Sequence, residues 1–81
     1  MIVSYDRESD VLYVTFEGVP SNTYVFAENE SGDLLKIDRN SRKVVGCTIP
    51  FFMKRIKRGD VVIPEIGAVP FNEIARELLP A

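Results

Sequence analysis

Three acidic residues stand at alternate positions near the N-terminus, in the stretch SYDRESDVLYVTF. The carboxylates of Asp6, Glu8 and Asp10 have the oxygen chemistry and nearly the spacing of a calcium-binding loop. The stretch lacks the glycine and the distal glutamate that an EF-hand loop requires. Because aspartate side chains commonly accept hydrogen bonds from turn amides, we expect Asp6 and Asp10 to stabilise a turn between two strands, with Glu8 in solvent.

Nucleophilic and metal chemistry find little support in the composition, since Cys47 is the only cysteine and the chain has no histidine. A catalytic thiol needs a neighbouring base, and a structural zinc site needs four sulfur or nitrogen ligands. We therefore expect Cys47 to be a buried apolar residue, and we expect no cofactor and no enzymatic activity. A substrate pocket formed across a dimer interface is the one enzymatic alternative left open.

The size of the chain predicts a single small domain over residues 1–81, with the 46% apolar and 27% charged content of ordinary globular proteins. A core this small supplies roughly 3–5 kcal/mol of net stability. One cysteine cannot form an intrachain disulfide, so self-association is the remaining common source of stability and we expect a homodimer. The N-terminal residues do not resemble a signal peptide and no apolar run is long enough to span a bilayer, so we expect a cytoplasmic protein without a membrane partner.

Alternating apolar residues predict an antiparallel meander of about five strands. Leu12, Val14 and Phe16 form the predicted core face of the second strand, and Gly46 in the fifth indicates a bulge or the close approach of another backbone. The predicted strands cover residues 2–5, 11–16, 23–27, 34–38 and 43–49.

The C-terminal third predicts helical structure. Residues 51–58 predict a short helical or irregular turn with Gly59 as its C-terminal cap, and residues 61–63 could add a short edge strand before Pro64. An amphipathic helix is predicted over residues 70–79, and its length requires that it dock on the sheet or on a partner. Its apolar face comprises Phe71, Ile74, Ala75, Leu78 and Leu79, and its polar face comprises Asn72, Glu73, Arg76 and Glu77.

Charge is distributed unevenly along the chain. Residues 1–38 hold eight acidic residues, whereas residues 39–58 hold seven basic residues and no acidic one. Such asymmetry fits three interpretations: a solvated turn and helix end, a docking surface for a partner, or contact with nucleic acid. The overall acidity counts against nucleic acid. The candidate partner-binding residues are Arg39, Arg42, Lys43, Lys54, Arg55, Lys57 and Arg58.

Apolar residues lie beside this basic segment, at Phe51, Phe52, Met53 and Ile56. One interpretation is that they close the core beneath the sheet. The other is that they form an apolar patch with a positive rim, which is typical of a protein interface.

The segments YDRESDVLYV and LLKIDRNSRKVVGCTI, within residues 3–50, resemble the small prokaryotic family called domain of unknown function 2283. Cys47 and Thr48 replace the isoleucine and glutamate that are common in that family. The resemblance implies an α+β fold with an antiparallel sheet, and it implies no activity and no catalytic residues. Some members are thought to lie beside small toxin-like proteins, which makes such a protein a candidate partner.

The sequence therefore predicts an α+β protein with an antiparallel meander of about five strands and a C-terminal amphipathic helix. The leading functional hypothesis is a non-enzymatic, protein-binding or homodimeric module. This hypothesis includes an antitoxin-like binding role. The alternative is a nucleic-acid-binding module that uses the basic segment 39–58. The sheet edge and the C-terminal helix are the two predicted dimer contacts.

Overall fold

A computed structural model describes residues 1–78 and confirms the predicted α+β class. It contains a five-stranded antiparallel sheet, two α-helices and one short 3-10 helix. The strands are β1 (Ile2–Asp6), β2 (Val11–Thr15), β3 (Tyr24–Glu28), β4 (Leu34–Asp38) and β5 (Val44–Pro50), and the helices are α1 (Phe52–Arg58) and α2 (Phe71–Leu78). Leu79, the last apolar residue of the predicted C-terminal helix, lies outside the described residues.

The strand order across the sheet is β1-β2-β5-β4-β3, and every neighbouring pair is antiparallel. Two tight hairpins form the edges, β1 with β2 and β3 with β4. The chain passes from β2 to the far edge, returns through β4 and places β5 in the centre. The central strand is therefore the one that pairs over the longest sequence distance, since Val14 lies opposite Cys47.

Both features predicted for Gly46 are present. The pairing of β5 with β4 shifts by one residue, because Lys36 faces Gly46 while Ile37 faces Val44, so Val45 is the extra residue of a bulge. A Cβ atom on Gly46 would lie 2.7 Å from the carbonyl oxygen of Val14. Only glycine therefore fits where β5 approaches β2 this closely.

The core lies on one face of the sheet, beneath the two helices. Leu12 and Val14 are buried as predicted, and Phe16 is half-buried. They cluster with residues of β4, β5, α1, α2 and the preceding loop, namely Leu35, Cys47, Ile49, Phe52, Ile63, Phe71, Ile74 and Ala75. The rings of Phe52 and Phe71 meet edge to face at 6.2 Å, which joins α1 to α2 within the core.

The predicted C-terminal helix is present and docked, with its apolar face inward. Ile74 and Ala75 are buried, Leu78 is half-buried, and Arg76 is exposed. The predicted strand over residues 61–63 is wrong, because this segment is an extended loop that leads into a 3-10 turn at Pro64–Ile66. Ile63 packs into the core from that loop, which explains the apolar character that favoured a strand.

No helix within residues 1–78 has the length and apolar character needed to cross a membrane.

Candidate binding surfaces

The basic residues of segment 39–58 fall into two groups. Arg39, Arg42 and Lys43 are exposed in the turn between β4 and β5. The other exposed members, Lys54, Lys57 and Arg58, lie on α1, beyond the opposite end of β5. Since a strand rises about 3.3 Å per residue, β5 separates the two groups by on the order of 20 Å. They do not form one continuous positive surface.

Arg55 does not lie on the surface with the others. Its side chain is buried against Asp33, which is completely shielded from solvent. Nη1 of Arg55 donates to Oδ1 of Asp33 at 2.5 Å, and Nη2 donates to Oδ2 at 3.3 Å. This hydrogen bonding raises the pKa of Arg55. Arg55 therefore belongs to the interior ion pair, and the exposed basic surface loses one of its predicted members.

A sequence signal for this placement exists. Phe52, Arg55 and Ile56 stand at positions i, i+3 and i+4, which share one face of a helix. Since Phe52 is fully buried, that face points inward and carries Arg55 with it. The charge alone suggests a surface residue, whereas the helical spacing indicates the interior.

Asp10 does not stabilise its own turn as predicted but caps α1, more than forty residues later in the chain. Its carboxylate accepts hydrogen bonds from the backbone amide of Met53 at 2.8 Å and from that of Lys54 at 3.4 Å. Its carbonyl accepts from the Phe52 amide at 3.0 Å. Phe51, at the N-cap position, is in the left-handed region (φ 54°) and offers no side-chain cap, so Asp10 satisfies the free amides of the first turn.

The hydrogen bond that Asp10 receives from the hydroxyl of Tyr5, at 2.7 Å, completes this cluster. Burial, followed by the contact with Asp10, raises the pKa of Tyr5 to about 12. For Asp10 itself burial acts to raise the pKa, but the bonds from the Met53 amide, from Tyr5 and from the Lys54 amide lower it below its ordinary value. The carboxylate is therefore held in its charged form.

The other aspartates of the turns have local roles. Asp6 accepts hydrogen bonds from the Glu8 amide and the Ser9 hydroxyl, as predicted, and Glu8 is exposed. Asp38 accepts in the same way from the Ser41 hydroxyl, and in both turns the serine lowers the pKa of the carboxylate. Among the described residues no group of three or more potential ligand side chains could hold a metal ion. Cys47 is buried as predicted, and burial raises its thiol pKa to about 11.

The apolar residues at 51–53 and 56 were predicted either to close the core or to form an exposed patch, and the structure shows some of each. Phe52 is fully buried and closes the core, whereas Phe51 is 57% exposed. Met53 and Ile56 are half-buried and pack against the core. Only Phe51, with Lys54 over its ring at 5.6 Å, forms part of an exposed surface beside positive charge.

The face of the sheet opposite the helices carries exposed apolar side chains, and we call it the open face. Its strand register places Phe26, Lys36, Gly46 and Thr15 in one row across the sheet. A depression of about 130 Å³ lies on this face, and Thr15, Phe26 and Lys36 are among its lining residues. The large exposed apolar side chains of this face are Ile2 (72%), Phe26 (55%), Tyr13 (44%) and Leu34 (38%).

A second depression, of about 490 Å³, lies at the β3–β4 edge of the sheet. Its floor is formed by Val25 and Ile37, and its rim by Asp38, Arg39 and Arg42. Val25 and Ala27 belong to the same face as the core but are exposed. The helices therefore leave β3 uncovered on both faces.

Comparison of the chain with protein-family models, curated proteins and solved structures finds no match.

Proposed function

We propose that this chain is a non-enzymatic protein-binding module, active as a homodimer, and that the open face is its contact with a partner protein. The observation that carries the proposal is the group of exposed apolar side chains on a sheet face that neither helix covers. Exposed apolar surface with aromatic members is characteristic of protein interfaces. Tyr13 is the expected centre of the contact, because it lies on β2 next to the central strand.

The polar chemistry of the described residues supports a binding role over a catalytic one. Asp33 is paired with Arg55, and Asp10 is bonded to the first turn of α1. Asp6 and Asp38 hold turns. These carboxylates are thus committed to structure, and a thiol whose pKa is raised, as in Cys47, is a poor nucleophile at neutral pH.

Membership of the family called domain of unknown function 2283 is part of the same proposal. It suggests a small toxin-like protein as the partner class. The nucleic-acid alternative stays a prediction, and its test is whether DNA or RNA is retarded at low ionic strength.

The partner-binding role is tested by affinity purification from the native host with the wild type, Tyr13→Lys and Arg76→Glu. The Arg76→Glu control changes an exposed charge on α2, away from the open face. A partner that the wild type and the control retain should be lost from Tyr13→Lys. With the purified partner, loss of a central aromatic contact should weaken binding by at least about thirtyfold, since such residues contribute 2 kcal/mol or more. Equal affinity of Tyr13→Lys and the wild type would disprove a contact through the open face.

A further inference from the structure

We infer that β3 is the dimer contact, and that a second copy of this chain pairs with it antiparallel about Phe26 to form one ten-stranded sheet. This inference deepens the proposed function and rests on it for the homodimer. It follows from the edge position of β3, from the direction of its backbone groups and from the arrangement of charge at its two ends.

The first step is that β3 is an unprotected edge. Four of its five residues are exposed, including Val25 and Phe26. Its sequence, YVFAE, has no proline or lysine, the residues that commonly block pairing at an edge. The other edge is different: Val3 and Tyr5 of β1 are half-buried, and Arg7, just after β1, donates a hydrogen bond to the carbonyl of Leu78 in α2.

The second step concerns which backbone groups of β3 are free for a partner. The Arg39 amide donates to the Thr23 carbonyl, and the Asn29 amide donates to the Asp33 carbonyl, so Thr23 and Asn29 face β4. The register between β3 and β4 is continuous from one of these pairs to the other. Because hydrogen-bonded and non-hydrogen-bonded positions alternate in an antiparallel pair, Tyr24, Phe26 and Glu28 direct their N–H and C=O groups outward.

The third step is that these outward positions are complementary to themselves. When two copies of β3 run antiparallel with Phe26 opposite Phe26, Tyr24 of each copy lies opposite Glu28 of the other. All three positions then form hydrogen-bonded pairs, with about six hydrogen bonds between the copies. The two Phe26 rings become cross-strand neighbours on the open face, and Val25 lies opposite Ala27 on the other face.

The fourth step is charge, which selects the antiparallel direction. At the Tyr24 end, the ammonium of Lys36 lies 4.1 Å from the centre of the Tyr24 ring, and Arg39 is next to the edge. Asp38, opposite Tyr24, is also at this end, where its carboxylate accepts a hydrogen bond from the Ser41 hydroxyl, so the basic residues outnumber it by two to one. Glu28 and Glu30 lie at the other end. A two-fold axis at Phe26 brings the acidic end of each copy to the basic end of the other, whereas parallel pairing would bring like charges together. Glu28 of the second copy then lies on the same face as Lys36.

This arrangement has a consequence for partner binding. The side chains of the two open faces point to the same side of the extended sheet, so the dimer presents one surface of twice the width. A partner of matching symmetry can contact both copies at once, which raises its avidity.

Charge exchange tests the pairing in trans. Sedimentation equilibrium should show a dimer for the wild type and binding weaker by on the order of tenfold for Glu28→Lys or Lys36→Glu alone, since each variant replaces two attractive pairs with two repulsive ones. An equimolar mixture of the two variants should recover the dimer, because the mixed dimer has two attractive pairs. Recovery in the mixture cannot come from a contact within one chain.

Residue-resolved amide exchange tests the same register without a substitution. Protection of the Tyr24, Phe26 and Glu28 amides should rise with protein concentration, whereas the Val25 and Ala27 amides, which face β4, should be protected at every concentration. Phe26→Pro should be folded and monomeric, because it removes an outward donor. Ala27→Pro, the matched control, should unfold, because it removes a bond to β4.

Three results would overturn the inference: a monomeric wild type at high micromolar concentration, failure of the mixture to recover the dimer, or a monomeric Tyr13→Lys, which would move the contact to the open face. A monomer that still binds its partner through Tyr13 would leave the proposed partner contact standing. If dimers form through β3 but their partner binding does not depend on Tyr13, the inferred dimer contact stands and the proposed partner contact fails.

Discussion

Asp33→Asn should remove a large part of the stability of this protein. Asp33 is fully shielded from solvent and accepts two hydrogen bonds from Arg55, whose side chain is only 9% exposed. Asparagine keeps the shape of the side chain but leaves the guanidinium without its buried counterion, and only the half-exposed Asp60, at 3.8 Å, then faces it. Removing one partner of a buried pair costs about 3–5 kcal/mol. The whole stability of a chain of this length is on the order of 4–12 kcal/mol.

The measurement is urea denaturation followed by circular dichroism. With a slope of about 1 kcal/mol per molar urea, the expected loss lowers the midpoint by about 3–5 M or leaves the variant unfolded in buffer. Asp60→Asn is the matched control, because Asp60 also faces Arg55, at 3.8 Å, but is half exposed. An exposed pair contributes about 1 kcal/mol or less, so this control should have a urea midpoint close to that of the wild type.

The double variant Asp33→Ala/Arg55→Met distinguishes the effect of an unpaired buried charge on stability from the effect of lost side-chain packing. Replacing both charged partners leaves no buried unpaired charge, so the double variant should be more stable than Asp33→Asn. An Asp33→Asn variant within about 1 kcal/mol of the wild type would show that the pair is not shielded as the structure places it.

Two further predictions concern the helices. Asp10→Asn should lower stability by about 1 kcal/mol at neutral pH, because it removes a negative charge at the start of α1. The pKa of Asp10 is lowered in the folded protein, so its contribution is present above the unfolded value of about 3.9 and is lost as the pH falls through the folded value. The difference from wild type in urea midpoint should therefore shrink below about pH 4. Glu8→Gln, exposed in the same turn, is the control and should have a urea midpoint close to that of the wild type at neutral pH. Ile74→Ala should cost about 2–5 kcal/mol by opening a cavity, with Arg76→Ala unchanged; equal thermal midpoints for these two variants would refute the docking of α2.

Local patterns predicted most of the elements. The alternation in residues 11–16 and 34–38 fixes which residues point inward, and spacing alone indicates the apolar face of α2. Gly59 ends α1 in the left-handed conformation (φ 72°), as its position after a basic helical segment predicts. These features depend on neighbours within about four residues, which a single sequence contains.

The contacts that hold α1 could not be predicted in this way. Asp10 and Asp33 each stand one residue before a strand, and turn chemistry is a sufficient local reason for an aspartate there. Their actual partners, the amides of α1 and Arg55, become neighbours only because β5 enters the sheet between β2 and β4. The role of these aspartates is a property of the strand order.

That strand order also explains why β3 is left exposed. Because β2 and β4 flank β5, the residues that precede them lie at the end of the sheet where α1 begins, and Asp10 and Asp33 hold α1 there from both sides. The core then forms beneath α1 and α2, and β3 remains outside the area that they cover, with Val25 and Phe26 exposed. Within residues 1–78 no further element covers that edge. The polar residues that fix α1 thus determine which strand is left exposed, and that strand is the one proposed as the dimer contact.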